Sequence, residues 1–242
     1  MTDSTLNALL EDLVAANRIL AEHGVVDGYG HVSVRHPSNK DRYLLSCSRA
    51  PEIVTAADIM EFDLDSNPID QRGRTLYSER FIHGEIYRVR PDVNAVVHSH
   101  SPNVIPYGVI NQPLRPMYHM SAFIGEGVPV FEIRETGGEA TDMLVRDRPL
   151  GQALARCLDC KPAALMRGHG AVVAASGLPL VVGRAIYLEM NARLQAQASL
   201  LTGGSGRINF LTEGEGRSAA TMNDYGRAWE MWRRKALAGV AA

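Results

Sequence analysis

The chain has 242 residues, 45% of them apolar, and a formal charge of −2, enough apolar material to bury a full core in a single domain spanning 1–242. So small a net charge excludes nucleic-acid binding by bulk electrostatics, while leaving room for a small anionic substrate in a local cationic pocket. Met1-Thr-Asp-Ser-Thr lacks the regions of a secretion signal and no apolar run reaches membrane-spanning length, so no membrane partner and a cytoplasmic setting are expected.

Leu6, Leu9, Leu10, Leu13, Val14 and Ile19 share one helical face, which predicts a packing helix capped by Ser4 or Thr5 and ending near His23-Gly24. Gly28-Tyr-Gly30 opens a turn into the alternating Val32-Ser-Val34, whose hairpin partner is Tyr43-Leu-Leu-Ser-Cys47. Thr55 to Ile59 predicts a helical turn before a strand that begins at Met60. From Ser78 to Val89, Phe81, Ile82, Ile86 and Val89 recur every three to four residues, so a helix is expected there, stopped by Pro91.

Ala95-Val-Val97 is a short strand running into His98-Ser-His100. A helix is expected over 103–109, a strand over 128–133, and a helix over 141–158 that is interrupted or restarted near Pro149. Ala163 to Met166 and Ala171 to Ala174 predict a further strand pair. Cys47, Cys157 and Cys160 are too few for a disulfide framework and read as buried or partly buried structural thiols. Leu180 to Leu201 reads as a core helix, and Gly203-Gly-Ser-Gly206 as a loop. In the tail, 207–242, Tyr225, Trp229 and Trp232 share a helical face that packs it on the domain or on a neighbouring subunit. Hairpins first, then alternating helices and strands, imply a mostly antiparallel sheet flanked by helices.

Alternate strand residues point the same way, so His98 and His100 present two imidazoles to one side of a sheet. A second apolar run ends in Arg167-Gly-His169-Gly170, where the flanking glycines permit a sharp turn and a close approach. Three imidazoles with an open position make the usual catalytic divalent site, and Glu79 is the natural carboxylate beside them. Zinc, manganese, cobalt and iron(II) all accept such ligands, so one divalent ion per subunit is expected, its identity open.

Gly30-His-Val-Ser-Val-Arg35, Ser78-Glu79, Val96-Val-His-Ser-His100 and Arg167-Gly-His-Gly170 together resemble the class II aldolase/adducin family, over roughly residues 5 to 200. The resemblance implies a three-layer αβα fold and a ring-like homotetramer with active sites between subunits. It also implies a metal held by His98, His100 and His169, with Glu79 as acid/base or fourth ligand. In such enzymes the cation stabilises the oxyanion of an enediolate or enolate as charge develops, and a carboxylate moves protons.

Departures from the family pattern narrow the chemistry. Sugar-phosphate members cradle phosphate with Gly-Asn in the first motif and a glycine turn after the next strand. Here these positions read Gly30-His31 and Cys47-Ser48-Arg49-Ala50-Pro51. Arg49 carries a planar fork suited to a carboxylate, so the pocket reads as built for a carboxylate or a flat acidic ring, with Ser48 and Ser78 as donors. His31 is a ring-contacting base, an anion ligand or a hydrogen-bonded structural residue, and His83 either packs or orients Glu79. The family's proton-donor tyrosine, reached from a neighbouring subunit, corresponds to His119, with Tyr118 beside it.

The whole pattern, including Tyr118-His119 and Arg184-Ala-Ile-Tyr187, is most similar to the decarboxylase branch. That implies metal-dependent decarboxylation of a hydroxylated aromatic or heteroaromatic dicarboxylate, or a related enol carboxylate, through a metal-stabilised enolate. The alternatives are an aldolase or epimerase acting on a small hydroxy-carbonyl compound, and a non-catalytic assembly domain of the adducin kind.

Overall fold

In the computed structural model, which describes residues 3–204, 207–222 and 224–238, seven strands form one sheet. They are β1 (His31–Arg35), β2 (Arg42–Ser46), β3 (Ile59–Asp63), β4 (Ala95–Ser99), β5 (Val130–Phe131), β6 (Ala163–Met166) and β7 (Gly170–Ala175). Their order is β3-β2-β1-β4-β7-β6-β5, and every pairing is antiparallel except that of β5 with β6. The register sets His31 opposite His98, and His98 opposite Val172. The helices are α1 (Asp3–Glu22), α2 (Phe81–Val89), α3 (Arg134–Gly137), α4 (Arg148–Leu158), α5 (Leu178–Leu201), α6 (Glu213–Ala220) and α7 (Gly226–Ala238).

Both faces of the sheet are covered, which is why β6, β7 and the first part of β4 read as apolar runs. Val32, Val34, Ala95, Val97 and Val173 point to the face carrying α1 and α5, while Tyr43, Leu45, Val96 and Val172 point to the face carrying α2 and α4. The result is a three-layer α/β arrangement, as the motifs implied.

The differences from expectation have local causes. Ser4 and Thr5 lie inside the first turn of α1 rather than capping it, and Val89 is exposed at the end of α2. Only a 3-10 turn, Ile105–Gly108, forms in 103–109, where Pro106 removes a backbone donor. The strand expected over 128–133 shrinks to Val130–Phe131 at the sheet edge. The helix of 141–158 starts at Arg148, because the Asp147 side chain accepts from Leu150 N and Pro149 occupies the first turn. Cys47 is buried, but Cys160 is exposed and all three thiols are free.

The tail packs on its own chain. Trp229 and Trp232 join the core beside α1 and α5, the Tyr225 hydroxyl donates to Met120 O at 2.7 Å, and its ring stacks on Tyr187. The unexpected α6 is closed by a capping box between Thr212 and Glu215. Ser205 and Gly206 of the expected loop, and 223 and 239–242 of the tail, lie outside the described residues. No described helix is long and apolar enough to cross a membrane.

Candidate metal centre and its cavity

The centre is assembled where β4 ends and the turn between β6 and β7 passes over it. His98 is buried within β4, His100 lies one residue beyond it, and His169 sits in the turn before Gly170. The two segments touch: a Cβ at Gly170 would lie 1.9 Å from Ser99 O, so only glycine permits this approach. Gly168, with φ of +63°, makes the turn itself.

The outward nitrogens are held in place. His98 Nδ1 lies 3.2 Å from Ala171 O and His169 Nδ1 lies 2.9 Å from Met143 O. A carbonyl only accepts, so both rings carry the proton on Nδ1 and turn a bare Nε2 inward. His100 Nδ1 faces Asp27 at 3.3 Å, and that carboxylate is anchored in turn by Tyr29 N at 2.8 Å.

Inward, His100 Nε2 stands 3.1 Å from His169 Nε2. Glu79 Oε2 lies 3.5 Å from His98 Nε2 and 3.4 Å from His169 Nε2. Its other oxygen accepts from Val145 N at 2.9 Å. The four ligand atoms all lie within 4.8 Å of one another, and His98 Nε2 is buried with no hydrogen-bond partner among the described residues. An orphaned buried acceptor costs about 1–3 kcal/mol, and a cation shared by the four groups removes that cost. Three imidazoles and a carboxylate therefore fit a divalent ion.

Electrostatics agree. Burial alone would raise the Glu79 carboxyl, but His98 and His169 hold it well below the usual carboxylate range. Burial lowers His169, yet the bond and charge of Glu79 raise it overall. A proton and a cation thus compete for one place. Glu79 itself occupies the bridge region, φ −92° and ψ 18°, where active-site residues recur.

A cavity of about 560 Å³ opens beside the centre, lined by Glu79, His100, His31, Ser48, Arg49 and Ser78, with Gly28, Tyr29, Ala50, Leu76, Tyr77 and Leu144 completing the wall. Among the described residues the Arg49 guanidinium makes its hydrogen bonds through Nε alone, to Ile53 O at 3.3 Å, and the same nitrogen pairs with Asp58 at 3.3 Å. Tyr77 steadies the Ser48-Arg49 turn by donating to Arg49 O.

His31 lines the cavity, but its Nδ1 meets His83 Nε2 at 2.7 Å, so His83 orients His31 rather than Glu79. Burial pushes both imidazoles down, His83 to about 3. Tyr118 and His119 do not line this cavity within the chain; the Tyr118 hydroxyl lies 3.0 Å from Met190 Sδ on α5, and His119 opens a 3-10 helix, His119–Ile124. Sequence reasoning missed Asp27, Tyr77 and the partnership of His83 with His31. Asp27 carries a signal only in retrospect: an aspartate beginning a Gly-rich turn has a second oxygen to spare.

A layered sheet that brings three imidazoles and a buried carboxylate together forms a candidate divalent-metal centre. The chain belongs to the class II aldolase/adducin family, since residues 11–196 match the Class II Aldolase and Adducin N-terminal domain. It is 35% identical over 247 residues, 93% of each chain, to a Talaromyces stipitatus protein named decarboxylase tropJ. It is 31% identical over 250 residues to the 3,4-dihydroxyphthalate decarboxylase of Arthrobacter keyseri, across 96% of this chain and 94% of that one. The structure of L-fuculose 1-phosphate aldolase from Glaciozyma antarctica PI12 matches with a TM-score of 0.75 at 22% identity, over 94% of this chain and 88% of that one, and shares the fold.

Proposed function

We propose that this chain is a metal-dependent carbon–carbon lyase that decarboxylates a hydroxylated aromatic or heteroaromatic dicarboxylate, or a related enol carboxylate. The observation that carries the reading is the orphaned His98 Nε2 in a four-ligand cluster opening on a cavity that also carries Arg49. The names of the relatives, two of them decarboxylases at 35% and 31% identity, support it.

His98, His100 and His169 would hold the ion, with Glu79 as fourth ligand or as the acid/base beside it. When bound, it supplies Lewis acidity at a substrate oxygen, stabilising the charge left beside the carbon that loses carbon dioxide. Arg49 binds the carboxylate that stays, through the outer nitrogens its Nε contacts leave available. Ser48 and Ser78 donate to further oxygens at the same wall. As the carbon–carbon bond breaks, its electron pair remains on the ring carbon and a proton must arrive there. Glu79 faces the cavity and can carry it. His119 is the other candidate, and its place away from the cavity in its own chain means that a neighbouring copy, in the homotetramer the motifs imply, would have to present it.

An aldolase or epimerase of sugar phosphates would have to bind phosphate where Arg49 stands, and an assembly domain has no use for an unpartnered buried imidazole. The test is carbon dioxide release by protein purified without chelator, offered 3,4-dihydroxyphthalate and, separately, L-fuculose 1-phosphate. Release from the dicarboxylate, lost on chelation and restored by one divalent ion per subunit, is expected. Cleavage of the sugar phosphate alone would move the chain to the aldolase reading.

A further inference from the structure

Behind the cavity wall a run of buried polar side chains has a direction that can be worked out by counting donors. His31 Nδ1 meets His83 Nε2 at 2.7 Å, His83 Nδ1 meets Ser33 Oγ at 2.6 Å, and Ser33 Oγ meets the Tyr87 hydroxyl at 2.8 Å. All four residues are at most 2% exposed. The run begins at the cavity and ends at Tyr87, sealed under the Arg35 guanidinium, 4.7 Å from the ring centre.

Tyr87 decides the direction. Among the described residues its hydroxyl has one hydrogen-bond partner, Ser33 Oγ, and the Val96 N–H that also bears on it can only donate, so Ser33 Oγ is the acceptor for the phenol proton. Tyr87 therefore donates to Ser33, and Ser33 must pass its own hydrogen to His83 Nδ1. His83 then carries its proton on Nε2 and donates it to His31 Nδ1. His31 is left with its proton on Nε2, the nitrogen with no hydrogen-bond partner among the described residues. The reverse order would strand the phenol proton in the core, a cost that buried hydroxyls avoid. With a sealed far end, the run does not conduct protons to solvent.

We propose that Tyr87, Ser33 and His83 are positioning residues that lock His31 as an N–H donor at the cavity wall, so that it recognises an oxygen acceptor of the substrate. A fixed donor cannot serve as a base. Of the roles the sequence leaves to His31, anion or oxygen ligand is the one this arrangement favours. The inference rests on the cavity being the substrate site, but not on which bond the enzyme breaks.

The test is long-range proton–nitrogen NMR of zinc-loaded enzyme with ring-labelled histidine, assigned with the His31→Gln and His83→Gln proteins. Protonated Nε2 and bare Nδ1 are expected at both His31 and His83; a bare Nε2 at His31 overturns the proposal. Tyr87→Phe removes the proton that sets the direction, so His31 should populate both tautomers, and KM for 3,4-dihydroxyphthalate should rise about 3- to 10-fold, roughly the net worth of one hydrogen bond, with kcat less affected. A single unchanged tautomer together with an unchanged KM in that variant also overturns it. His83→Gln keeps a donor toward His31 and should rescue the KM that His83→Leu loses. If the native enzyme releases no carbon dioxide from this compound, the decarboxylase reading fails while the NMR result still decides the inference.

Discussion

Two buried polar clusters lie on either side of Ser99 to Asn103, and they are built on opposite plans. On α5, Asn191 accepts from Met117 N at 2.8 Å and from Ser121 Oγ at 2.6 Å, and donates to Arg115 O at 2.8 Å. Gln195 accepts from Arg115 N and donates to Pro113 O, both at 2.9 Å, while Glu189 takes Ser101 Oγ at 2.7 Å and Asn103 N at 3.2 Å. The Asn191 and Gln195 bonds clamp the segment that carries Tyr118 and His119, and the Glu189 bonds hold the turn just past His100. The histidine cluster instead satisfies every outward nitrogen and leaves the inward ones facing each other. Closed polar groups hold a chain in place, whereas open ones wait for a ligand.

The largest effect should come from emptying the open cluster. His98→Ala or His100→Ala is expected to abolish metal content and turnover while leaving a folded protein, checked by metal analysis, activity and circular dichroism. Full activity in either, or in chelated enzyme, would make the histidines no different from the α5 clamp.

Glu79→Gln keeps the shape and removes the charge, so turnover should fall about 10²- to 10⁴-fold with the fold retained. A near-normal rate would take the proton role away from Glu79. Next comes Arg49, whose truncation to alanine should cost on the order of 2–5 kcal/mol with a dicarboxylate and little with an analogue lacking the carboxylate that stays. Arg49→Lys should recover only part of this, since the fork is lost. Equal losses on both compounds would assign Arg49 to holding Asp58 instead.

The smallest effect on chemistry is expected from the closed cluster. Asn191→Leu strands Met117 N and Arg115 O, at about 1–3 kcal/mol for each buried group. Together that corresponds to a melting temperature lower by about 4–24 °C in a chain of this size, with metal stoichiometry unchanged. Loss of metal in this variant would show the two clusters to be one unit.

What could be read from the sequence was whatever repeats locally. The apolar periods of α1 and α5, the hairpin of β1 with β2, and the histidines at two-residue spacing, His98 in β4 and His100 just past its end, all appear where expected. The Gly-His-Gly turn does so because its glycines answer a close backbone approach. What escaped depends on distant partners. Residues 141–147 are not helical, and Val145 N within them bonds to Glu79, 66 residues away. His83 belongs to His31 because the packing of α2 on β1 brings them together, across 52 residues. The placing of Tyr118 and His119 outside their own chain's cavity likewise has no local signature.

The contact at Gly170 acts as a mechanical stop. Since even a methyl group there would collide with Ser99 O at 1.9 Å, the spacing between the segments bearing His100 and His169 is set by two backbones already touching, not by side chains that could repack. That side of the proposed ion's berth cannot be made smaller by small steps, and one added carbon would enlarge it abruptly. The opposite wall is Glu79, a carboxylate on a flexible stem hung from a 3-10 turn. If the proposed ion is held here, a difference in ionic radius would be taken up on the Glu79 side, where Oε1 is tied to Val145 N and Oε2 faces the imidazoles.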